Sequence, residues 1–193
     1  MAYFIGAIPM AYIYCKCRGK DITREGSGNV GATNAARLFG KPAFFTIFFF
    51  DALKGFLPVF FFPSFVSGVP LSQEGIHLIV FFMTVVGHVW SVFIRFKGGK
   101  GVATSAGGLL ALMPLVSLIA IGVFTLSFAF SRIVSVSSML ASLSLPLLVW
   151  MMGYSSLYIL FTLLLSFFII FTHRSNIKRI LSGTEKKLTV NKA

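Results

Sequence analysis

Acidic residues are scarce in this chain of 193 residues, where 5 Asp and Glu stand against 17 Lys and Arg, a formal net charge of +12. So few carboxylates make a metal site built from several of them implausible. The two cysteines, Cys15 and Cys17, are too few for a zinc site and too close together for an ordinary disulfide. We therefore expect neither a metal nor another cofactor.

Charge of either sign is also rare. Charged residues make up 11% of the chain, whereas hydrophobic residues make up 56% and phenylalanine alone fills 23 positions. This composition excludes an ordinary soluble domain and a disordered chain. Because the basic residues lie between apolar runs, the positive charge indicates a membrane surface rather than nucleic acid. The first 15 residues lack the basic start and the cleavage site of a signal peptide, so we expect a first membrane helix there.

The apolar runs predict an all-α integral membrane protein. They are 2–15, 43–66, 76–94, 102–130, 133–152 and 155–172. A membrane span takes about 20 residues, and Met113-Pro114 divides the long run 102–130. The division gives seven transmembrane helices, of which the fourth, about 102–113, is short and interrupted, as helices that line polar cavities can be. One long tilted helix, with five spans in all, is the alternative.

The basic residues predict how the chain is oriented. Most of them lie in three segments, 16–41, 95–101 and 173–193. In contrast, 67–75 carries only Glu74 and 153–156 carries no charge. The positive-inside rule then places the three basic segments in the cytoplasm and the N-terminus outside, which requires an odd number of spans. We expect one polytopic domain over 1–193, whose cytoplasmic segments build the active site.

The first polar segment, residues 27–37, reads Ser-Gly-Asn-Val-Gly-Ala-Thr-Asn-Ala-Ala-Arg. Glycines free the intervening N–H groups to form a concave anion nest, and the segment runs into a predicted helix whose N-terminus attracts anions. An ordinary cytoplasmic loop before a capped helix is the alternative. The candidate phosphate-binding residues here are Ser27, Gly28, Asn29, Gly31, Thr33, Asn34 and Arg37.

The second polar segment, residues 96–104, reads Phe-Lys-Gly-Gly-Lys-Gly-Val-Ala-Thr. Lys97 and Lys100 bracket Gly98 and Gly99, so the lysines can bind a phosphate as point charges while backbone N–H groups shape the site. It is not a Walker A loop, because the earlier glycine is missing and an apolar helix precedes it. Basic anchoring at the membrane surface is the alternative.

The third polar region is the tail, residues 173–193. On a helix His173 and Asn176 share a face with either Arg179 or Ile180. Arg174 and Arg179 are further candidate phosphate-binding residues. A basic amphipathic tail that only binds anionic lipid is the alternative.

Asp51, Lys54 and His88 are ionisable residues that fall within the predicted spans. Asp51 and Lys54 are three residues apart in the second span, and His88 lies near the cytoplasmic end of the third. Ionisable groups at membrane depth are costly and are usually functional or paired. A supporting role at the site and a purely structural role are both open for these residues.

Taken together and in this order, the three polar regions resemble the bacterial acyl-phosphate-dependent glycerol-3-phosphate acyltransferases, the PlsY family. The matching pieces are 26–37, Asp51, Lys54-Gly55, Gly87-His88, 96–104 and 173–185. The His-based motif of coenzyme-A-dependent glycerolipid acyltransferases is absent, since no histidine is followed five residues later by Asp. The resemblance covers nearly the whole chain.

The resemblance implies an enzyme of the bacterial inner membrane with its active site facing the cytoplasm. It would transfer a fatty acyl group from acyl phosphate to the 1-hydroxyl of glycerol 3-phosphate, releasing lysophosphatidic acid and phosphate. A soluble partner enzyme would supply the acyl phosphate. We assign His173, Lys100 and Asn176 as catalytic candidates, with His173 the candidate base. The alternatives are a transporter of a small phosphate ester and a scaffold that binds anionic lipid.

Overall fold

The computed structural model describes residues 1–188, and within them every regular element is helical. The α-helices are α1 (Ala2–Ala7), α2 (Met10–Lys16), α3 (Ala32–Phe61), α4 (Gln73–Val89), α5 (Val102–Leu112), α6 (Pro114–Ser131), α7 (Val134–Met151), α8 (Ser156–Thr172) and α9 (Arg174–Leu181). Two short 3₁₀ turns, Phe62–Phe65 and Val92–Ile94, extend α3 and follow α4. The prediction of an all-α membrane protein is confirmed. The described residues end before Lys192, which the sequence placed in the basic tail.

Four helical stretches are long and apolar enough to cross a bilayer: Ala32–Phe65, Gln73–Ile94, Pro114–Ser131 and Val134–Met151. Helices α8 and α9 together give a fifth candidate, although they meet at an angle of 59°. Helix α5 is apolar but shorter than these. By length and composition the described residues therefore hold four or five candidate spans.

The N-terminal apolar run is two helices rather than the single helix that we expected. Helix α1 ends at Ala7 and α2 begins at Met10, with Ile8 and Pro9 between them. Proline lacks an N–H group and its ring clashes with a preceding helical turn, so it ends α1 here. The Ile8 carbonyl that this break frees accepts a hydrogen bond of 2.6 Å from Lys54 Nζ.

The long run 102–130 is divided where the sequence predicted. Helix α5 ends at Leu112, Met113 adopts φ −138° and ψ 67°, and Pro114 opens α6. A proline disfavours helical geometry in the residue before it and suits the first position of a new helix. The alternative of one unbroken helix is wrong.

Helix α3 begins well before the apolar run at 43–66. Its first two turns carry the end of the first polar segment, and the axis bends at Gly40, where φ is 77° and ψ is −169°. Only glycine adopts that conformation readily. The break at Gly40 divides α3 into a short polar helix at the site and a long apolar helix in the membrane-embedded core.

Helix α5 packs against α3 at very short range. A Cβ added at Gly55 of α3 would overlap the backbone of Thr104, and one added at Gly107 of α5 would overlap the backbone of Ala52. Small residues allow such close approach between helices in membranes. The contact fixes the N-terminus of α5 beside α3.

The polar segments gather at one end of the helix bundle. There Ser135 at the start of α7 bonds to Glu185 of the tail at 2.7 Å, and Lys100 bonds to Asn176. At the opposite end the loop after Tyr154 meets the start of α4, where Ser155 Oγ donates to Glu74 Oε2 at 2.9 Å. Charge and chemistry are thereby concentrated at a single end.

Candidate active site

The three polar regions line one open cavity of about 510 Å³. Of the residues that the sequence predicted for the site, those that line it are Ser27, Gly28, Asn29, Gly31, Thr33, Asn34, Arg37, Asp51, His88, Lys97, Gly98, Gly99, Lys100, His173, Arg174, Asn176 and Arg179. The exception is Lys54, which borders a small adjoining cleft together with Asp51 and His88. Segments far apart in the sequence thus meet around one space.

Asn34 holds the first polar segment in shape. Its side chain is buried, with Oδ1 accepting from the Ser27 N–H at 2.9 Å and Nδ2 donating to the Glu25 carbonyl at 3.0 Å. Nδ2 also lies 3.4 Å from the Ile22 carbonyl. Because these bonds occupy the amide, the geometry places Asn34 behind the loop, where it fixes the residues that face the cavity.

The second polar segment differs from expectation in one respect. The N–H groups of Gly98 and Gly99 donate to the carbonyls of Val89 and His88, at 3.0 and 3.1 Å. They are therefore not available to shape a phosphate site. The glycines are needed instead for close packing, since an added Cβ would overlap the His88 carbonyl at Gly98 and the His88 ring at Gly99.

Two helix N-termini converge on the cavity. Helix α3 starts after Gly31 and α5 after Gly101, and the first residues of both helices line the space. The free N–H groups and the dipole of a helix N-terminus favour an anion. Gly101 has φ 85°, which glycine tolerates and which turns the chain sharply into α5. The backbone of the two helix N-termini therefore favours the binding of an anion between them, and the side chains add to this effect.

A polar network joins the second polar segment to the tail. Lys100 Nζ donates to Asn176 Oδ1, and Asn176 Nδ2 donates in turn to Glu185 Oε1. Glu185 also accepts from Arg179 Nε at 2.7 Å and from Ser135 Oγ at 2.7 Å. The Glu185 carboxylate thereby fixes both Asn176 and Arg179 at the cavity wall.

The cavity shifts the pKa values of its charged groups. Burial lowers the pKa of Lys100 to about 8, although the Glu185 carboxylate opposes the shift. Burial alone would raise the pKa of Glu185, but hydrogen bonds from Ser135, Asn176 and Arg179 outweigh it and keep that pKa below its usual value. At neutral pH Lys100 is thus mostly protonated and Glu185 is ionised.

His173 lies at the joint between α8 and α9 and is 2% exposed. Its Nδ1 is 2.8 Å from the Ile169 carbonyl, which can only accept, so Nδ1 carries the hydrogen and Nε2 has a free lone pair. Burial, and then the nearby Lys100 ammonium, lower the pKa of His173 to about 4. At neutral pH His173 is therefore an uncharged hydrogen-bond acceptor and a weak base.

Sequence reasoning missed several residues of the site. Glu185 is the only acidic residue of the tail, a signal that was available but did not reveal its partners. Ser135 and Ser138 lie in an apolar helix with nothing in the sequence to mark them. The same holds for four of the five phenylalanines on the cavity wall, which are Phe44, Phe48, Phe124 and Phe171.

Comparisons with known proteins agree with this geometry. The family model described as "Glycerol-3-phosphate acyltransferase" matches residues 1–183. A glycerol-3-phosphate acyltransferase of Endomicrobium trichonymphae is 45% identical over 193 residues, covering 100% of this chain and 94% of the relative. One of Desulfotalea psychrophila is 43% identical over 189 residues, covering 96% and 94%.

Two solved structures share the fold. The crystal structure of PlsY, an integral membrane glycerol 3-phosphate acyltransferase, in its glycerol 3-phosphate form has a TM-score of 0.89 at 36% identity, covering 97% of this chain and 92% of that one. The lysophosphatidic acid form has a TM-score of 0.86 at the same identity, covering 98% and 92%.

An all-helical membrane bundle with a cation-lined cavity at one end, similar in fold to a solved acyltransferase, defines an integral membrane acyltransferase. The match is specific over nearly the full length. The chain belongs to the glycerol-3-phosphate acyltransferase family.

Proposed function

We propose that this acyltransferase takes its acyl group from acyl phosphate and transfers it to the 1-hydroxyl of glycerol 3-phosphate. The observation that carries the proposal is the composition of one cavity. Six cationic side chains line it, and so do five phenylalanines; the cations are Arg37, Lys97, Lys100, Arg174, Arg179 and Lys186. Two phosphorylated substrates, one with a long apolar tail, match such a mixed lining.

The two phosphates have separate places in this proposal. The first polar segment and the start of α3 hold the phosphate of the acyl donor, with its tail along the aromatic wall. Lys100, Arg179 and Arg37 hold glycerol 3-phosphate, together with Lys97 and Asn176. The support is that the N-termini of α3 and α5 and the cationic side chains all line the same cavity. Fixing both substrates there supplies much of the catalysis, because orientation replaces a chance encounter.

In the chemical step the 1-hydroxyl oxygen bonds to the acyl carbonyl carbon. The bond from that carbon to the phosphate oxygen breaks, and phosphate leaves with its electron pair. With a pKa of about 4, His173 is a poor final proton acceptor. A phosphate oxygen, whose second pKa is about 6, accepts the hydroxyl proton more readily. His173 Nε2 then serves to orient the hydroxyl, while Lys100 stabilises the developing negative charge.

We also propose the orientation and location that the basic segments predict. The enzyme lies in the bacterial inner membrane as seven helical segments, with the N-terminus outside and the cavity facing the cytoplasm. The support is that all three basic segments meet at one end of the bundle. A soluble enzyme that makes acyl phosphate would then supply the donor from the cytoplasmic side.

The experiment that tests the donor uses purified protein in detergent with labelled glycerol 3-phosphate. Palmitoyl phosphate and palmitoyl-coenzyme A are supplied in separate reactions, and lysophosphatidic acid is measured. We expect product from palmitoyl phosphate alone. Product from the coenzyme A thioester, or none from either donor in folded protein, would contradict the proposal.

A further inference from the structure

A buried group of charged residues lies directly behind the second polar segment. Lys54 Nζ is 2.7 Å from Asp51 Oδ1, and His88 Nδ1 faces the same oxygen at 3.6 Å. All three side chains are at most 7% exposed. A charged side chain buried without a partner costs free energy, so these charges must be paired or serve a function.

The imidazole of His88 lies between this carboxylate and the glycines. Its Nδ1 points toward Asp51, and its Nε2 lies against Gly99, where an added Cβ would overlap it. That same Cβ would lie 2.7 Å from the carbonyl of Val30, in the first polar segment. The ring is therefore in contact with the backbone that carries Lys97 and Lys100, at the point where the two polar segments meet.

The backbone before the glycines is held in an uncommon conformation. Arg95 and Phe96 both have positive φ, 53° and 61°, and the Phe96 N–H donates to the Ser91 carbonyl at 2.7 Å. Consecutive left-handed residues other than glycine cost free energy and persist only where the surroundings enforce them. The second polar segment therefore needs contacts with neighbouring residues that stabilise this conformation.

Lys54 connects the buried group of charged residues to the N-terminal helices. Its Nζ donates to the Ile8 carbonyl at the break between α1 and α2. Helix α1 is in turn attached to the end of α4, because Tyr3 Oη donates to the Trp90 carbonyl at 2.7 Å and Ser91 Oγ donates to the Ala7 carbonyl. These hydrogen bonds hold the end of α4 against α1, and Lys54 in turn joins α3 to the residue that follows α1.

We infer that Asp51, Lys54 and His88 form a positioning cluster that sets the affinity for glycerol 3-phosphate. Asp51 orients the His88 ring, and the ring holds the Gly98–Gly99 backbone at the distance that places Lys100 in the cavity. This inference rests on the proposed function and deepens it. The three residues are positioning residues, since they act through Lys100 rather than on the reacting atoms.

The first test is kinetic. His88→Ala should raise the KM for glycerol 3-phosphate about tenfold or more, because a displaced Lys100 loses its hydrogen bond to the phosphate, and a hydrogen bond between charged groups contributes a factor of about ten or more to binding. The kcat should fall as well, because Lys100 also stabilises the developing negative charge, whereas the KM for palmitoyl phosphate should change less than about threefold. An equal rise in the KM values of both substrates, or an unchanged KM for glycerol 3-phosphate, would overturn the inference.

The second test uses the contact between the ring and the glycine. Gly99→Ala should impair glycerol 3-phosphate binding strongly in the parent enzyme and less in the His88→Ala background, where the ring no longer obstructs the added methyl. Contacting residues show such non-additivity, whereas independent ones have effects that multiply. Multiplying effects would refute the contact as the cause. Gly122→Ala, with open space around the added Cβ, is the matched control.

The third test asks whether Asp51 acts through His88. Asp51→Asn should raise the same KM, and Asp51→Asn combined with His88→Ala should do no worse than His88→Ala alone. If Asp51→Asn does not fold, Asp51→Asn with Lys54→Met removes both buried charges and replaces it. An added loss in the combined variant would show that Asp51 acts independently.

Binding separates this inference from the proposed function. Glycerol 3-phosphate should raise the unfolding temperature of the parent protein, as any ligand of the folded state does, and should raise that of His88→Ala much less. Failure to make lysophosphatidic acid from palmitoyl phosphate would refute the donor assignment and leave this shift measurable. Equal shifts in the two proteins would refute the positioning cluster alone.

Discussion

The ammonium of Lys100 makes the activity depend on pH at a predictable place. Its pKa of about 8 means that it is charged below that pH and loses its charge above it. Because the charged form binds the phosphate, kcat/KM for glycerol 3-phosphate should fall as the pH rises through about 8. A pH profile of initial rates measures this directly.

The matched variants are both lysine-to-arginine changes. Lys100→Arg keeps its charge at all accessible pH values and should remove the alkaline fall, even if the bulkier group lowers the plateau. Lys97→Arg, at an exposed position of the same segment, should leave the fall in place. An alkaline fall that persists in Lys100→Arg would assign it to another group.

Glu185 is the residue whose loss should disorganise the cavity most. Glu185→Gln removes the charge that Arg179, Asn176 and Ser135 share, and hydrogen bonds to a charged group contribute about 1.5–3 kcal/mol each. We expect a lower thermal midpoint together with a large loss of activity. Glu74→Gln, whose carboxylate accepts from Ser155 at the opposite end, is the control and should keep near-parental activity. Parental stability and activity in Glu185→Gln would contradict this role.

At the scale of elements, the contact between α3 and α5 is set by residues without side chains. Gly107→Ala would place a methyl group into the backbone of Ala52, and overpacking of this kind costs about 1–3 kcal/mol. The thermal midpoint in detergent should fall accordingly. Activity should fall with it, because α5 carries one of the two N-termini at the cavity. Gly122→Ala in α6 has room for its methyl group and should change neither quantity.

The breaks between elements were predictable only in part. Pro114 lies within the apolar run 102–130, which is too long for one span, so both length and residue type indicated the division. Pro9 stands in a run too short to divide on length, and the break after α1 was missed. The helix that the first polar segment leads into was predicted, whereas the break at Gly40, between that helix and the apolar one, was not.

The candidate site, like the breaks between elements, was predictable from the sequence only in part. Glycines beside lysines and asparagines mark a close approach of the backbone, and the sequence located both polar segments on that basis. The sequence could not identify the contacts that these residues make. Gly99 contacts the ring of His88 rather than a ligand, and Asn34 forms hydrogen bonds within its own loop. Those contacts depend on tertiary distances, as does the position of Glu185 between Ser135 and Arg179.

Over the whole molecule, polarity is divided between the two ends of the bundle. One end holds the cavity, the two helix N-termini and most of the cations, while the other holds short loops joined through Glu74 and Ser155. The bundle between them presents apolar side chains to its surroundings, including Phe49, Leu118 and Phe167. Such an apolar exterior suits the hydrocarbon interior of a bilayer.

The natural cysteines provide a test of how this molecule lies in the bilayer. Cys17 is exposed at the end of α2, whereas Cys15 is buried. If the basic segments face the cytoplasm, a membrane-impermeant maleimide should label Cys17 in inside-out vesicles and not in intact, right-side-out spheroplasts. Cys17→Ala should abolish the label, which would show that Cys15 does not react.

A second cysteine at the opposite end completes that measurement. Ser155→Cys in the Cys17→Ala background should be labelled from the outside only, since it lies at the end that carries almost no basic charge. Labelling of both cysteines from the same side would contradict the proposed odd number of spans. Reversed labelling would keep the bundle but place the cavity on the outer face, where the positive-inside rule would have failed.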